Sequence, residues 1–411
     1  MKYQPPFGST NPNEAYVDRN LTSGQQGSRV AAKAVEQPLR ELDHLISYAG
    51  LTPGDADLQQ VRKAIEAIFL IDAPITRTVH GAGADFPNLN AAFAWLSRRR
   101  ITATGSVTFQ LAAGQHVYNG SASSVGISHP DMARVTIAGA VLTGGGFPTA
   151  GNLTVTGSSS AARGSDNAAN LAMIRARVPT ELRFTGGAAF SAQGSISVQD
   201  VLFTGDGSVG VDGPVFRLGF ASLLRIACYG FGGRGLVVAA GYATLNNVYS
   251  FGSGTYNIHA DDGGNVGVFG PVFSTGGAGV GIATQVASSL RTAPGGTILS
   301  SGNASYGVSS SLGGVVSAGS GSAANNNGAS GWFCEGAVMW AQNTSGSNNA
   351  GYAYLATAAA MISAQSTTMG GNTIGGYLAE RGSTIVAIGG PNGVASPTAN
   401  TIGNSNSMVI Q

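Results

Sequence analysis

GPVFRLGFASLLRIACYGFGGR, from Gly213 to Arg234, and GLVVAAGYATLNNVYSFGSGT, from Gly235 to Thr255, decide the fold. Slid by 22 residues they fall into register: Gly219 on Gly241, Phe220 on Tyr242, Leu223 on Leu245, Ile226 on Val248 and Tyr229 on Phe251. A third copy keeps Gly263 and Phe273 on that spacing, and openings recur at Gly307, Gly331, Gly351 and Gly376. A period in the twenties, made of short strands and Gly/Asn turns, marks a solenoid. Leu236 and Val238, Trp332 and Cys334, Tyr352 and Tyr354, and Tyr377 and Ala379 follow their opening glycines with period two, so these positions face inward along strands. The helical period does not appear here, so helical repeats are poor fits. Asn246, Asn247, Asn303, Asn325, Asn348 and Asn372 suit left-handed turn positions, and stacked coils should place aromatic and Asn residues in ladders. The fold class is therefore mainly β, a right-handed parallel β-helix over residues 178–411 with about ten coils at the usual strand spacing.

Composition agrees. The chain has 411 residues, 63 of them glycine, and only 10% are charged, while apolar residues make up 43% and persist throughout. A net charge of +1 offers no basis for binding nucleic acid or an anionic membrane surface. The charges are unevenly spread: residues 1–100 hold 21 of the 41, and residues 301–411 hold only Glu335, Glu380 and Arg381. No run of 18 apolar residues exists, so membrane insertion is not expected. MKYQPPFGSTNPN has no apolar segment of the secretory kind, so synthesis in a cytoplasm without general secretion is expected. Cys228 and Cys334 lie about four coils apart at strand positions and read as small buried hydrophobes. No metal site or cofactor is expected from two cysteines and five scattered histidines.

Ahead of the repeats the pattern changes. PLRELDHLISYAG puts Pro38 in a first turn and Leu39, Leu42, Leu45 and Ile46 on one stripe, ending near Gly50. TPGDADLQQVRKAIEAIFL offers Thr52 as N-cap and Pro53 at the first turn of a second helix, with Leu58, Val61, Ile65 and Ile68 on its apolar face. A hairpin this short cannot bury both stripes and requires a partner or copies of itself. Residues 1–74 are read as one module. Residues 75–177 are read as a linker over Ala73–Gly83, a capping helix in DFPNLNAAFAWLSRRR, first β-rungs, a surface loop over Gly144–Gly164, and a short helix starting near Ser165.

The segments NPNEAYVDRN, GSRVAAKAVEQPLRELDHLISYAGLTP and DLQQVRKAI resemble the N-terminal attachment region of bacteriophage tail fibres and tail spikes. ADFPNLNAAFAWLSRRR, VTFQLAAGQHVY and HPDMARVTIAGA resemble the entry to the pectate-lyase-like β-helix of such proteins, so the likeness covers about the first third of the chain. The resemblance implies a homotrimer fixed to a tail or baseplate through residues 1–74, located in a virion and presenting its solenoid to host surface glycan. The chain departs from the pattern at SNSMVIQ, a plain strand with no distal head.

Two functions follow from different residues. The first is a structural, receptor-facing fibre; the second is a tail-spike depolymerase, a glycosidase or lyase acting on host polysaccharide. Glu335 and Glu380 fall at equivalent places with Leu355 between, which would separate them by roughly 9.6 Å, at the edge of the range for inverting hydrolysis. Strand parity turns both outward into solvent, so no catalytic residue is expected. His259, Asp261 and Asp262 in NIHADDGG read as a turn. Trp340 is the candidate for stacking on a sugar ring. Phe333, Leu355 and Leu378 fall at outward apolar positions and are the candidates for a trimer interface.

Overall fold

The computed structural model describes residues 4–20, 22–54, 56–388, 401–402 and 407–410. The chain divides into two compact units, Met1–Ala73 with Arg98–Thr104, and Pro74–Ser97 with Gly105–Gln411.

The first unit is built on two helices, α1 (Ala32–Tyr48) and α2 (Gln60–Phe69). Helix α1 begins earlier than its proline suggests, so Pro38 lies inside it, where it removes one backbone donor. The helix closes at Gly50, whose φ of 79° lets the Gly50 N–H reach Ser47 O and the Leu51 N–H reach Ile46 O. Thr52 and Pro53 do not start α2. Asp57 turns the chain by accepting from the Gln59 N–H at 2.9 Å, and the Gln60 side chain folds back onto both backbone groups of Gly54, so the helix starts at Gln60. Leu70–Ile71 and Arg100–Ile101 pair in parallel and complete the unit.

The second unit is the parallel β-helix. Its register follows the sequence repeat where that repeat is clearest: Phe220 pairs with Tyr242, Leu223 with Leu245, Ile226 with Val248 and Tyr229 with Phe251. The third copy slips, because Phe273 pairs with Tyr249 and Asn265 with Tyr242, so that coil is longer than the 22-residue beat. Each coil has three faces. The long strands Ile196–Thr204, Phe220–Tyr229 and Tyr242–Phe251 supply two of them by bending at Asp200, Arg225 and Asn247, which stack with φ between 53° and 59°. The third face is an eleven-stranded sheet running from Val125–Ser128 to Thr401–Ile402. Pro74–Val79 is the first strand of this unit and pairs with Ser106–Leu111, so it is not linker.

Helix α3 (Leu89–Leu96) buries Leu89, Ala92, Phe93 and Leu96, and Asn88 caps it by accepting from the Ala91 N–H. Its start is tied to the first coil through Tyr118, whose hydroxyl accepts from the Leu89 N–H at 3.1 Å and donates to His80 Nε2 at 3.0 Å. Helix α4 (Ser160–Arg175) is capped by Ser159, six residues ahead of Ser165, so part of the expected loop is helical. Ile174 of α4 packs with Val178 on an outward row of the second face, Leu202, Ala227, Tyr249 and Phe273, and Leu171 and Met173 join them. The insertion thus removes an apolar exterior row from water.

Inside, the later coils carry two ladders. Trp332, Tyr354 and Tyr377 stack at 6.3 and 5.5 Å between centroids. Trp332 pairs with Tyr354, not Tyr352, which is half-buried. Asn303, Asn327, Asn349 and Asn372 form a buried amide ladder with Nδ2–Oδ1 distances of 3.0–3.1 Å. Of the asparagines expected at left-handed positions, Asn247 and Asn348 have positive φ, whereas Asn303 and Asn372 belong to the ladder. Cys228 and Cys334 are free and buried.

Candidate functional site

The third face brings the sequence-derived acids and apolar residues into two adjacent rows. One row runs Val237, His259, Ala283, Ser309, Phe333, Leu355 and Leu378. Strand pairing makes that outward row continuous, and the next holds Glu335 and, opposite it, Thr357. Glu380 lies opposite Thr357, since its N–H reaches Ala356 O and Ala356 pairs with Ala379. The two glutamates therefore share a column with Thr357 between them, not Leu355. Glu335 is exposed and Glu380 half-buried. Their separation is two strand spacings, roughly 9.6 Å. Water surrounds Glu335, so this pair lacks the dry setting that separates an acid from a base.

The apolar candidates differ from one another. Phe333 and Leu355 are half-buried, and Phe333 stacks on Tyr306 with centroids 4.1 Å apart. Leu378 is 7% exposed, so it is not available as a surface contact. Trp340 belongs to the first face, in the column of Ser317 and Ser363, and is 38% exposed.

A polar cluster at the front of the third face escaped the sequence reading. Arg234 donates through Nε and Nη2 to one oxygen of Asp212, at 3.0 and 2.5 Å, its backbone N–H donates to the other, and Nη1 donates to His259 Nδ1 and to Asp261. His259 Nε2 then donates to Gln285 Oε1, and Gln285 donates to the Tyr256 hydroxyl, whose ring stacks on His259. Burial, then the Arg234 charge, hold the His259 pKa below its ordinary value, against the opposing pull of Asp261. A donor, Arg234, faces Nδ1 and an acceptor, Gln285 Oε1, faces Nε2, which suits the tautomer with its proton on Nε2. The network satisfies its members internally, which makes it a clamp across coils and not a poised acid or base. The available signal was the spacing: Asp212 and Arg234 are separated by the repeat period itself. Asp262 does occupy the expected turn, with φ 49°.

Two further ion pairs act the same way. Glu181 accepts from Arg175 on both oxygens, from Thr204 and from Gln115. Asp200 and Arg225 pair in bidentate fashion at the strand bend, at 2.6 and 2.8 Å. Among the described residues, no group of three or more His, Cys, Asp or Glu side chains is placed to hold a metal ion.

No family model and no curated protein matches the chain. Two solved structures resemble its arrangement: the A-module of mannuronan C-5 epimerase AlgE4 of Azotobacter vinelandii and that of AlgE6 from the same organism. The AlgE4 module is 11% identical, with a TM-score of 0.41, over 74% of this chain and 91% of that one. The AlgE6 module is 11% identical, with a TM-score of 0.38, over 75% and 91%. At that identity and overlap, neither contributes to an assignment of activity.

Proposed function

We propose that the chain is a structural, host-facing subunit of a bacteriophage tail fibre. In this reading residues 1–74 hold it to the tail or baseplate and the solenoid faces the cell surface. The observation that carries this reading is the state of the helical unit. Helices α1 and α2 leave Val35, Leu39, Leu42, Tyr48, Ile65 and Phe69 exposed, with Leu39 at 60% and Tyr48 at 74%. A recess of about 620 Å³ lies between the helices, with Leu42, Ile46 and Val61 among its lining. Apolar stripes of this extent on a short hairpin belong against a partner. The likeness to fibre attachment segments falls on the same residues.

Homotrimer formation is part of this proposal, with Phe333 and Leu355 as the remaining contact candidates on the third face. The depolymerase reading would use Glu335 and Glu380, whose open column gives it no particular support. The fibre reading is tested by Leu39→Asp with Leu42→Asp, expressed with the other tail proteins. The altered chain should fold with an unchanged β spectrum and be absent from purified tail particles. Recovery on particles at the unaltered level would overturn the assignment of residues 1–74.

A further inference from the structure

The first face carries an exposed aromatic surface that neither the fold nor the fibre reading requires. Phe220, Tyr242 and Phe269 are 44%, 38% and 50% exposed, on three successive coils. Phe220 and Tyr242 are stacked, with centroids 5.3 Å apart and planes within 14°. The rings of Tyr242 and Phe269 lie down across the strand Asn265–Val268, because Gly267 leaves the space beneath them. A Cβ there would collide with the Tyr242 hydroxyl and with the Phe269 ring. The result is a low aromatic surface over Gly267, with each of the three rings partly open to water.

A cation stands beside it. Arg291 pairs in register with Gly267, one coil further on, and is exposed. It has no carboxylate partner among the described residues. The strands that build this face from Phe220–Tyr229 to Met361–Ser363 contain no Asp or Glu, and their other cation, Arg225, is held by Asp200. Next to Arg291, Ser289 donates to Asn265 at 2.6 Å, giving a hydroxyl and amide edge along the aromatic surface. Trp340 stands two coils beyond Arg291 in the same column.

We infer that this face binds an acidic oligosaccharide, with pyranose rings stacked on Phe220, Tyr242 and Phe269 and a carboxylate received by Arg291. Aromatic faces accept the C–H surface of a sugar, and a guanidinium without a partner receives a carboxylate through charge-assisted hydrogen bonds. A purely apolar occupant would leave Arg291 uncompensated at the edge of the contact. The inference rests on the reading of the solenoid as the surface-facing part, and it names what that surface takes.

The test is titration calorimetry of the full chain with oligogalacturonate and with a neutral glucan of matched length. Oligogalacturonate should bind, and the neutral glucan should bind about tenfold more weakly, since it lacks the charge-assisted contact. Arg291→Gln should remove that preference, and Tyr242→Ala should weaken both ligands by about tenfold through loss of a stacking surface. Both sites are exposed, so melting temperature serves as the check on folding. Absence of binding, equal affinity for the two glycans, or variants that bind like the unaltered chain would overturn the inference. So would a drop in oligomeric mass caused by either substitution, which would make the face a contact between copies. A chain recovered on tail particles that ignores oligogalacturonate sinks this inference alone. One that binds it but never joins particles sinks the fibre reading alone.

Discussion

The coils up to Thr275 and the coils after it close the same three-faced section by different means. The earlier coils are locked from outside and across strands by charge: Glu181 with Arg175, Asp200 with Arg225, and Arg234 with Asp212 and Asp261, while α4 covers their apolar outer row. The later coils are locked from inside by the amide ladder and the Trp332–Tyr354–Tyr377 stack, and residues 301–411 contain three charges. Ion pairs fix particular residues on particular coils, which suits the irregular entry of the solenoid. A ladder repeats one interaction on every coil and suits the regular part. The helical unit resembles neither half, because its apolar surface stays open.

Breaking the interior ladder should cost most. Asn327 accepts from both the N–H and Nδ2 of Asn303 and donates to Ser300 O and Asn349 Oδ1. Asn327→Ala strands those groups in a dry interior, and a loss of about 3 kcal/mol is expected in denaturant unfolding. Glu181→Ala should cost about 2 kcal/mol, because Arg175 keeps some contact with water while Thr204 and Gln115 lose their acceptor. If the two losses were reversed in size, the contrast between the halves would fail.

Acid sharpens the same contrast. Burial, with the neighbouring His116, lowers the His80 pKa to about 4 from 6.5, and His259 is lowered by burial too. The unfolded chain therefore takes up protons that the folded chain refuses. The stability these histidines contribute is complete above about pH 6.5, and His80's share is lost as pH falls through about 4. Both His80 and His259 precede residue 260, so protection against hydrogen exchange, taken relative to the intrinsic rate at each pH, should fall in the early coils and not in the late ones as pH drops to about 5. An equal loss of protection in both halves would contradict this.

How much was legible follows the repeat. Where the glycine beat is strict, as between Phe220 and Phe251, the strand register could be read directly from the residues. Where coils lengthen, as at Phe273, no local signal marks the extra residues, since each turn tolerates insertion on its outside. Strand parity placed Trp332 and Cys334 inward and Glu335 outward correctly, but it could not show that Leu378 would be covered. The expected Asn ladder is present, with Asn303 on Asn327, but single-residue patterns missed the charged contact that joins coils, since Arg234 and Asp212 are neighbours only after stacking. The start of α2 was missed because Gln60 and Asp57, not Thr52, accept from the backbone N–H groups of Gly54 and Gln59.

The central claim, a trimeric fibre subunit, is tested most directly by native mass spectrometry of the full chain at micromolar concentration. The account predicts a species of three 41.1 kDa chains, and weaker assembly in Leu355→Asp at unchanged β content. A monomer under the same conditions would contradict it.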